Sequence, residues 1–314
     1  MKILITGGAG FIGSHLCEFY IKQGMEVWCI DNLLTGNEKN ISPFLKDPNF
    51  HFLKEDITKF DFSKISVNFD IIFHLSSPAS PPDYFNFPIE TLWVNSIGTE
   101  VCLKLTQKYN AKFLFSSTSE VYGDPLVSPQ KEDYWGNVNS IGLRSVYDEG
   151  KRYGEAITMA YHRKFNLNTH LIRIFNTYGP NMRLNDGRVI PNFIYQSLTS
   201  QPFTIYGDGK QTRSFCYIDD LIAGITKLIQ TDYNLPVNLG NPDEFTILEL
   251  AEKLKSILKK EIPIKFLPPI PDDPRKRKPD ISLAKKLLKW EPGISLQDGL
   301  QKTIESLKIQ MEAK

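Results

Sequence analysis

Continuous apolar runs alternate along the first half of the chain with stretches in which apolar residues recur every three or four positions. Ile3 to Thr6, Val27 to Ile30, Ile71 to Leu75, Phe113 to Ser116 and Leu171 to Phe175 read as strands buried on both faces. Helical periodicity lies between most of them. Strands alternating with helices imply right-handed crossovers, so the pattern predicts an α/β fold with a doubly wound parallel sheet.

Beyond Asn176 the rhythm changes. Loops rich in Gly, Pro and Arg precede a strand at Phe203 to Tyr206, a helix from Asp219 to Gln230 and a strand at Val237 to Leu239. A helix over Ile247 to Lys259 and a strand at Ile262 to Phe266 follow, and the basic, Pro-rich stretch Pro268 to Pro279 reads as a surface loop. The division predicted is a dinucleotide-binding domain over 1–175, with the chain returning to it near 214–240, and a smaller mixed α/β substrate domain over 176–314.

Composition removes several function classes. Lys plus Arg number 37 against 36 Asp plus Glu in 314 residues, so there is no net field to draw nucleic acid or an acidic membrane. The four cysteines, Cys17, Cys29, Cys102 and Cys216, form no C-x-x-C pair, which argues against a zinc site or a disulfide framework and fits a reducing cytoplasm. Strand character begins at Lys2 with no leader pattern before it, and no apolar run reaches membrane length, so a protein that starts with its domain and stays off membranes is expected.

Chemistry enters at Gly7-Gly8-Ala9-Gly10-Phe11-Ile12-Gly13, a G-x-x-G-x-x-G turn between the first strand and a helix predicted over Ser14 to Gln23. Glycines there let the backbone approach a pyrophosphate at the positive end of that helix, the Rossmann-like arrangement. Asp31 ends the second strand 18 residues after Gly13, where a carboxylate meets a ribose hydroxyl. The first arginine of the chain is Arg144, so a 2′-phosphate lacks a partner near Asp31 and NAD is expected over NADP; Lys39 is the one residue that could soften this. Asp56 follows a third candidate strand and could accept from the adenine amino group.

Tyr147 and Lys151 stand four residues apart on one helical face. A phenol with a pKa near ~10 becomes a base at neutral pH only when a neighbouring ammonium and a cationic ring favour its phenolate. Phe113 to Glu120 runs a strand into Ser116, Ser117, Thr118 and Ser119, closed by Glu120, at the strand end where open parallel sheets bind ligands. All nine arginines fall between Arg144 and Arg277, a bias that suits a second anionic ligand, although Arg144, Arg152 and Arg163 read as solvated surface charges.

With these motifs in view the chain resembles the extended short-chain dehydrogenase/reductases, and within them the UDP-glucuronate decarboxylases. The resemblance covers nearly the whole length, including Tyr147 to Arg152 and Arg275 to Asp280, and is most specific at Ser77-Pro78-Ala79-Ser80-Pro81-Pro82 and Ser117-Thr118-Ser119-Glu120-Val121-Tyr122-Gly123. It implies that NAD lies against Gly7, Gly10, Phe11, Ile12, Gly13, Asp31, Asn32, Thr35, Gly36, Asp56, Ile57, Leu75, Ser77, Asn95, Ser116, Tyr147, Lys151, Thr177, Arg183 and Arg188. It places UDP-glucuronate against Pro78, Ser119, Glu120, Asn176, Arg188, Val189, Tyr206, Arg213, Tyr217, Arg275 and Arg277. The implied cycle oxidises C4 with Tyr147 as base, Lys151 supporting the phenolate and Thr118 holding the C4 oxygen. Carbon dioxide leaves, C5 is protonated with Ser119 and Glu120 facing it, and C4 is reduced again. Arg277 would meet the sugar carboxylate.

Sister reactions are separable at this level. A 4,6-dehydratase carries an Asp-Glu pair after the Thr, whereas this chain has Ser119-Glu120; a 4-epimerase gives no reason for Glu120 or the Arg-Lys-Arg-Lys loop. A cofactor-sensing regulator is disfavoured by intact Tyr147, Lys151 and Glu120. Trp93 stands where the resemblance calls for Lys and Val101 where it calls for Asn, which touches the sugar side of the site. The resemblance also implies a homodimer built on helices matching Leu92 to Lys108 and Tyr147 to Lys164.

Overall fold

In the computed structural model, which describes residues 1–269 and 276–312, the apolar runs become strands of one sheet. The first half contains β1 (Lys2–Thr6), α1 (Phe11–Ile21), β2 (Glu26–Ile30), β3 (Phe50–Leu53), β4 (Ile71–His74), α2 (Pro81–Asn86), α3 (Pro88–Trp93), α4 (Thr99–Tyr109), β5 (Lys112–Thr118), α5 (Ser145–Phe165) and β6 (Thr169–Ile174). The second contains β7 (Thr177–Tyr178), α6 (Val189–Leu198), β8 (Phe203–Tyr206), β9 (Thr212–Ser214), β10 (Cys216–Tyr217), α7 (Ile218–Leu228), β11 (Pro236–Leu239), β12 (Glu244–Thr246), α8 (Ile247–Leu258), β13 (Ile264–Leu267), α9 (Ser282–Leu288) and α10 (Leu296–Glu312).

The seven-stranded sheet runs β11-β6-β5-β4-β1-β2-β3, parallel throughout. It is the Rossmann-like doubly wound α/β sheet that the alternating pattern predicts. Ile3 registers with Val27 on one side and with Ile71 on the other. The chain therefore leaves β1 outward through β2 and β3, then returns to build β4, β5 and β6 on the opposite side. Crossovers diverge at β1 and β4, and a crevice opens beyond their carboxyl ends.

One sheet face packs Leu4, Phe113, Phe115 and Leu171 against Cys102 and Leu103 of α4. The other joins Ile3, Ile5 and Phe73 to a cluster that continues through Phe193, Phe203 and Leu254 to Leu307. A single apolar core thus runs from the sheet into the second half. There the small pairs β13-β8 and β12-β9 stand beside α6, α8 and α10, while α7 packs on α1 and β11 hydrogen-bonds to β6.

Several local boundaries differ from the periodicity. The first helix begins at Phe11, not Ser14, because Gly10 ends the turn in extended geometry. α3 and α4 are joined by a π-helical turn over Val94–Gly98 that buries Asn95 and Gly98. The surface reading of Pro268 to Pro279 fails at its end, where Arg277 and Pro279 are buried. All four cysteines are buried and unpaired.

Candidate active site

A cleft of about 460 Å³ opens beyond the carboxyl ends of β1, β4 and β5. At its nucleotide end, Gly7 adopts φ +72, and a Cβ there would lie 2.7 Å from the Ser76 nitrogen. A Cβ on Gly13 would lie 2.1 Å from the Gly7 oxygen. Gly10 caps α1 without a side chain, so the N–H groups of the first turn remain open toward the cleft. This cradle fits a dinucleotide pyrophosphate by contact and by the helix field.

Asp31 lines the cleft with Asn32, Thr35, Gly36, Asp56 and Ile57. Its carboxylate accepts from the Ala9 nitrogen at 3.0 Å and the Leu33 nitrogen at 2.8 Å, and burial raises its pKa against the pull of those two bonds. Lys39 is exposed and is not part of the wall, whereas Asp56 is, with one oxygen taken by the Thr58 hydroxyl at 2.8 Å. Phe11, Ile12, Leu75, Ser77, Pro78, Ser116, Thr177, Arg183 and Arg188 complete this part of the wall. Asn95 stands behind it, donating to the Ser77 hydroxyl at 2.9 Å.

At the end of β5, Thr118, Ser119 and Glu120 face Tyr147 and Lys151 of α5 across the cleft. The Lys151 ammonium donates to the Ser116 carbonyl at 2.8 Å and lies 5.8 Å from the centre of the Tyr147 ring. Burial pushes the Tyr147 phenol up to about 12, opposed by the Thr118 hydroxyl, and brings the Lys151 ammonium down to about 7. The Tyr84 ring stacks on Tyr147, centroids 5.2 Å apart.

Glu120 is the electrostatic centre. Both Arg277 terminal nitrogens reach its carboxylate at 2.7 Å, and Arg144 reaches it at 2.6 Å. Burial raises the Glu120 carboxyl, but Arg277 and then Arg144 outweigh burial and hold it below the usual carboxylate range. Burial and then the charge of Glu120 push the carboxyl of buried Asp148 up to about 7.

The surface reading of Arg144 is therefore incorrect: the helix starts at Ser145, which turns Arg144 inward onto Glu120. Its place three residues before Tyr147 is the signal that could have found it. Arg152 is partly exposed and donates to the Val121 and Trp135 carbonyls, and Arg163 is exposed. Tyr84 and Asp148 were also missed by sequence reasoning; a tyrosine in a short Pro-led helix carries little signal.

Asn176, Val189, Tyr206, Arg213 and Arg277 line the substrate end of the cleft. Tyr217 does not line it. Parallel pairing of β10 with β7 turns Tyr217 into the seam against Tyr178, with centroids 5.6 Å apart. Arg275 lies outside the described residues. Arg183 pairs with Asp83, and Arg188 with Asp186. Trp93 stands half exposed on the cleft wall, whereas Val101 is not part of it. No group of His, Cys, Asp and Glu among the described residues could hold a metal ion, and no described helix is long and apolar enough to cross a membrane.

The sequence profile of the NAD dependent epimerase/dehydratase family matches residues 3–240. UDP-glucuronic acid decarboxylase 1 of Arabidopsis thaliana is 50% identical over 308 residues, spanning 98% of this chain and 70% of that protein. The Danio rerio protein of the same name is 48% identical over 311 residues, 99% of this chain and 73% of its own length. Among solved structures, the UDP-glucuronic acid 4-epimerase of Bacillus cereus, in complex with UDP-glucuronic acid and NAD, superposes with a TM-score of 0.90 at 33% identity. That alignment covers 99% of this chain and 100% of the other.

Proposed function

Since the chain belongs to the NAD dependent epimerase/dehydratase family, we propose that it converts UDP-glucuronate to UDP-xylose and carbon dioxide through a 4-keto intermediate. The observation that carries this beyond family membership is Glu120 at the end of β5, clasped by Arg277 and Arg144 beside Tyr147. Two guanidinium groups around one carboxylate leave positive charge for a second carboxylate, that of the sugar.

Gly10, Gly13 and Asp31 would hold NAD, which would supply reversible hydride acceptance at C4. Tyr147 takes the C4 hydroxyl proton. Burial raises its pKa, the Thr118 hydroxyl and the Arg188 charge lower it, and the Lys151 side chain 5.8 Å from the ring centre favours the phenolate when protonated. Thr118 orients the C4 oxygen. With a ketone at C4 the C6 carboxylate is β to a carbonyl, so breaking the C5–C6 bond leaves an enolate, and one proton must be delivered to C5. Arg277 and Arg144 hold Glu120 ionised, so the proton for C5 comes from a water molecule that Ser119 and Glu120 orient beside that carbon, and Arg277 holds the sugar carboxylate until it departs.

Two finer points belong to the same proposal. The exposed side chains Ile89, Trp93 and Ile97 on the α3–α4 run and Tyr153 on α5 support pairing of two copies through these helices. Four buried, unpaired cysteines suit a reducing compartment such as the cytoplasm.

The test is incubation of purified protein with UDP-glucuronate and NAD, following carbon dioxide and the nucleotide sugar. Carbon dioxide with a UDP-pentose is the expected result. UDP-galacturonate without carbon dioxide would assign a 4-epimerase, as in the similar Bacillus cereus structure.

A further inference from the structure

Arg277 lies between β13 and α9, and the described residues around it, 276–281, belong to no helix or strand. A guanidinium aimed at a target within a few tenths of an ångström needs its backbone held, and irregular chain is held only by specific anchors. Among the described residues, the carbonyl of Arg277 accepts from the Ser214 hydroxyl at a long 3.3 Å. The next residue is fixed far more firmly, from the other half of the molecule.

Gln130, fully buried in the loop between β5 and α5, takes both main-chain groups of Lys278. Its own N–H donates to the Lys278 carbonyl at 2.8 Å, and its side-chain Oε1 accepts from the Lys278 N–H at 2.8 Å. Its carbonyl accepts from the Asp280 N–H at 2.8 Å and from the Asn238 amide at 3.0 Å. The remaining Nε2 donates to the Val127 carbonyl at 2.7 Å, which locks the side chain's own loop. Only a glutamine has the length to accept from Lys278 while donating to Val127; Glu lacks the donor and Asn the reach.

We infer that Gln130 is a positioning residue that sets where the Arg277 guanidinium stands relative to Glu120 and to the substrate carboxylate. The inference rests on the reading that Arg277 meets that carboxylate. Glu120 and Gln130 both belong to the chain that follows β5, so the anchor ties the register of the Arg277 segment to the same strand end that presents Glu120. The two members of the ion pair then move together.

The experiment is a double-mutant cycle on the full chain, read by equilibrium binding of UDP-glucuronate, UDP and NAD to Q130A, R277Q and Q130A/R277Q. Q130A should weaken UDP-glucuronate about tenfold while UDP and NAD bind within twofold of wild type. In the R277Q background the same substitution should change nothing further, since a residue acting through Arg277 has nothing left to position. S214A, which removes the hydrogen bond to the Arg277 carbonyl, should shift UDP-glucuronate alone by about threefold and keeps the test open if Q130A does not fold. Equal weakening of UDP and UDP-glucuronate by Q130A or S214A, or a full additive effect in R277Q, would reduce Gln130 to a structural residue. If R277Q itself fails to discriminate UDP-glucuronate from UDP, the carboxylate reading falls, and the inference with it.

Discussion

Tyr147 is buried, stacked on Tyr84 and one helical turn from an ammonium, so its acidity is set by what is laid against it. Replacing it with Phe removes the proton acceptor and keeps the ring stack. Carbon dioxide release is expected to fall about a hundredfold to ten-thousandfold, with NAD affinity unchanged in calorimetry. Asp148, next in sequence, gives a second prediction at this scale. Its folded-state carboxyl titrates near about 7, against ~3.9 for an unfolded aspartate. Between those values the folded protein holds the proton more tightly, so this group's contribution to stability falls as pH rises from about 4 to about 7 and is level outside that window. Asp148→Asn mimics the protonated form; it should unfold at higher urea than wild type at pH 8 and at the same urea below pH 4. These residues also show what sequence conveys. The Tyr147 and Lys151 pair announces itself by spacing, and the glycine turn by its place after a strand. Arg144 resembled any surface arginine because its role depends on α5 beginning one residue later, and Tyr217 resembled a ligand contact because strand pairing, which is nonlocal, decides which way it points.

The pairing of β5 with α5 brings Ser116 and Thr118 to Tyr147 and Lys151, and the spacing is set at Gly154. A Cβ there would stand 2.1 Å from Cζ of Phe115, which is fully buried and cannot swing out. Gly154→Ala should cost about 1–3 kcal/mol in urea unfolding, the range for overpacked cores. It should also lower turnover by lifting α5 from the strand end. An alanine that leaves both stability and turnover at wild-type values would show that the helix spacing is not set here. At this scale the buried parallel strands were legible because they are written as unbroken apolar runs, and the amphipathic helices because their period is unmistakable. The π-helical turn over Val94–Gly98 was not, since one extra residue in a helical ladder leaves the hydrophobic pattern nearly unaltered.

At the scale of the molecule, one apolar cluster reaches from Ile3 in the sheet to Trp290 and Leu307 in the second half. Two parts that share a core should lose it together. Urea unfolding followed by far-ultraviolet circular dichroism and by the fluorescence of Trp290, in a variant whose other tryptophans are replaced by phenylalanine, is expected to give coincident curves. Separated transitions would assign each half its own cooperative unit. The sheet itself imposes an order in time. β6 is covered on its outer edge by β11, which lies beyond β7, α6, β8, β9, β10 and α7 in the sequence. On a ribosome delivering the chain from its amino end, β6 emerges well before its neighbour and must wait with an unpaired row of main-chain donors and acceptors beside hydrophobic side chains. The nascent protein is therefore most open to mispairing during synthesis of residues 175–235, and a chain stopped within that interval should be a preferred client of chaperones that bind extended apolar segments.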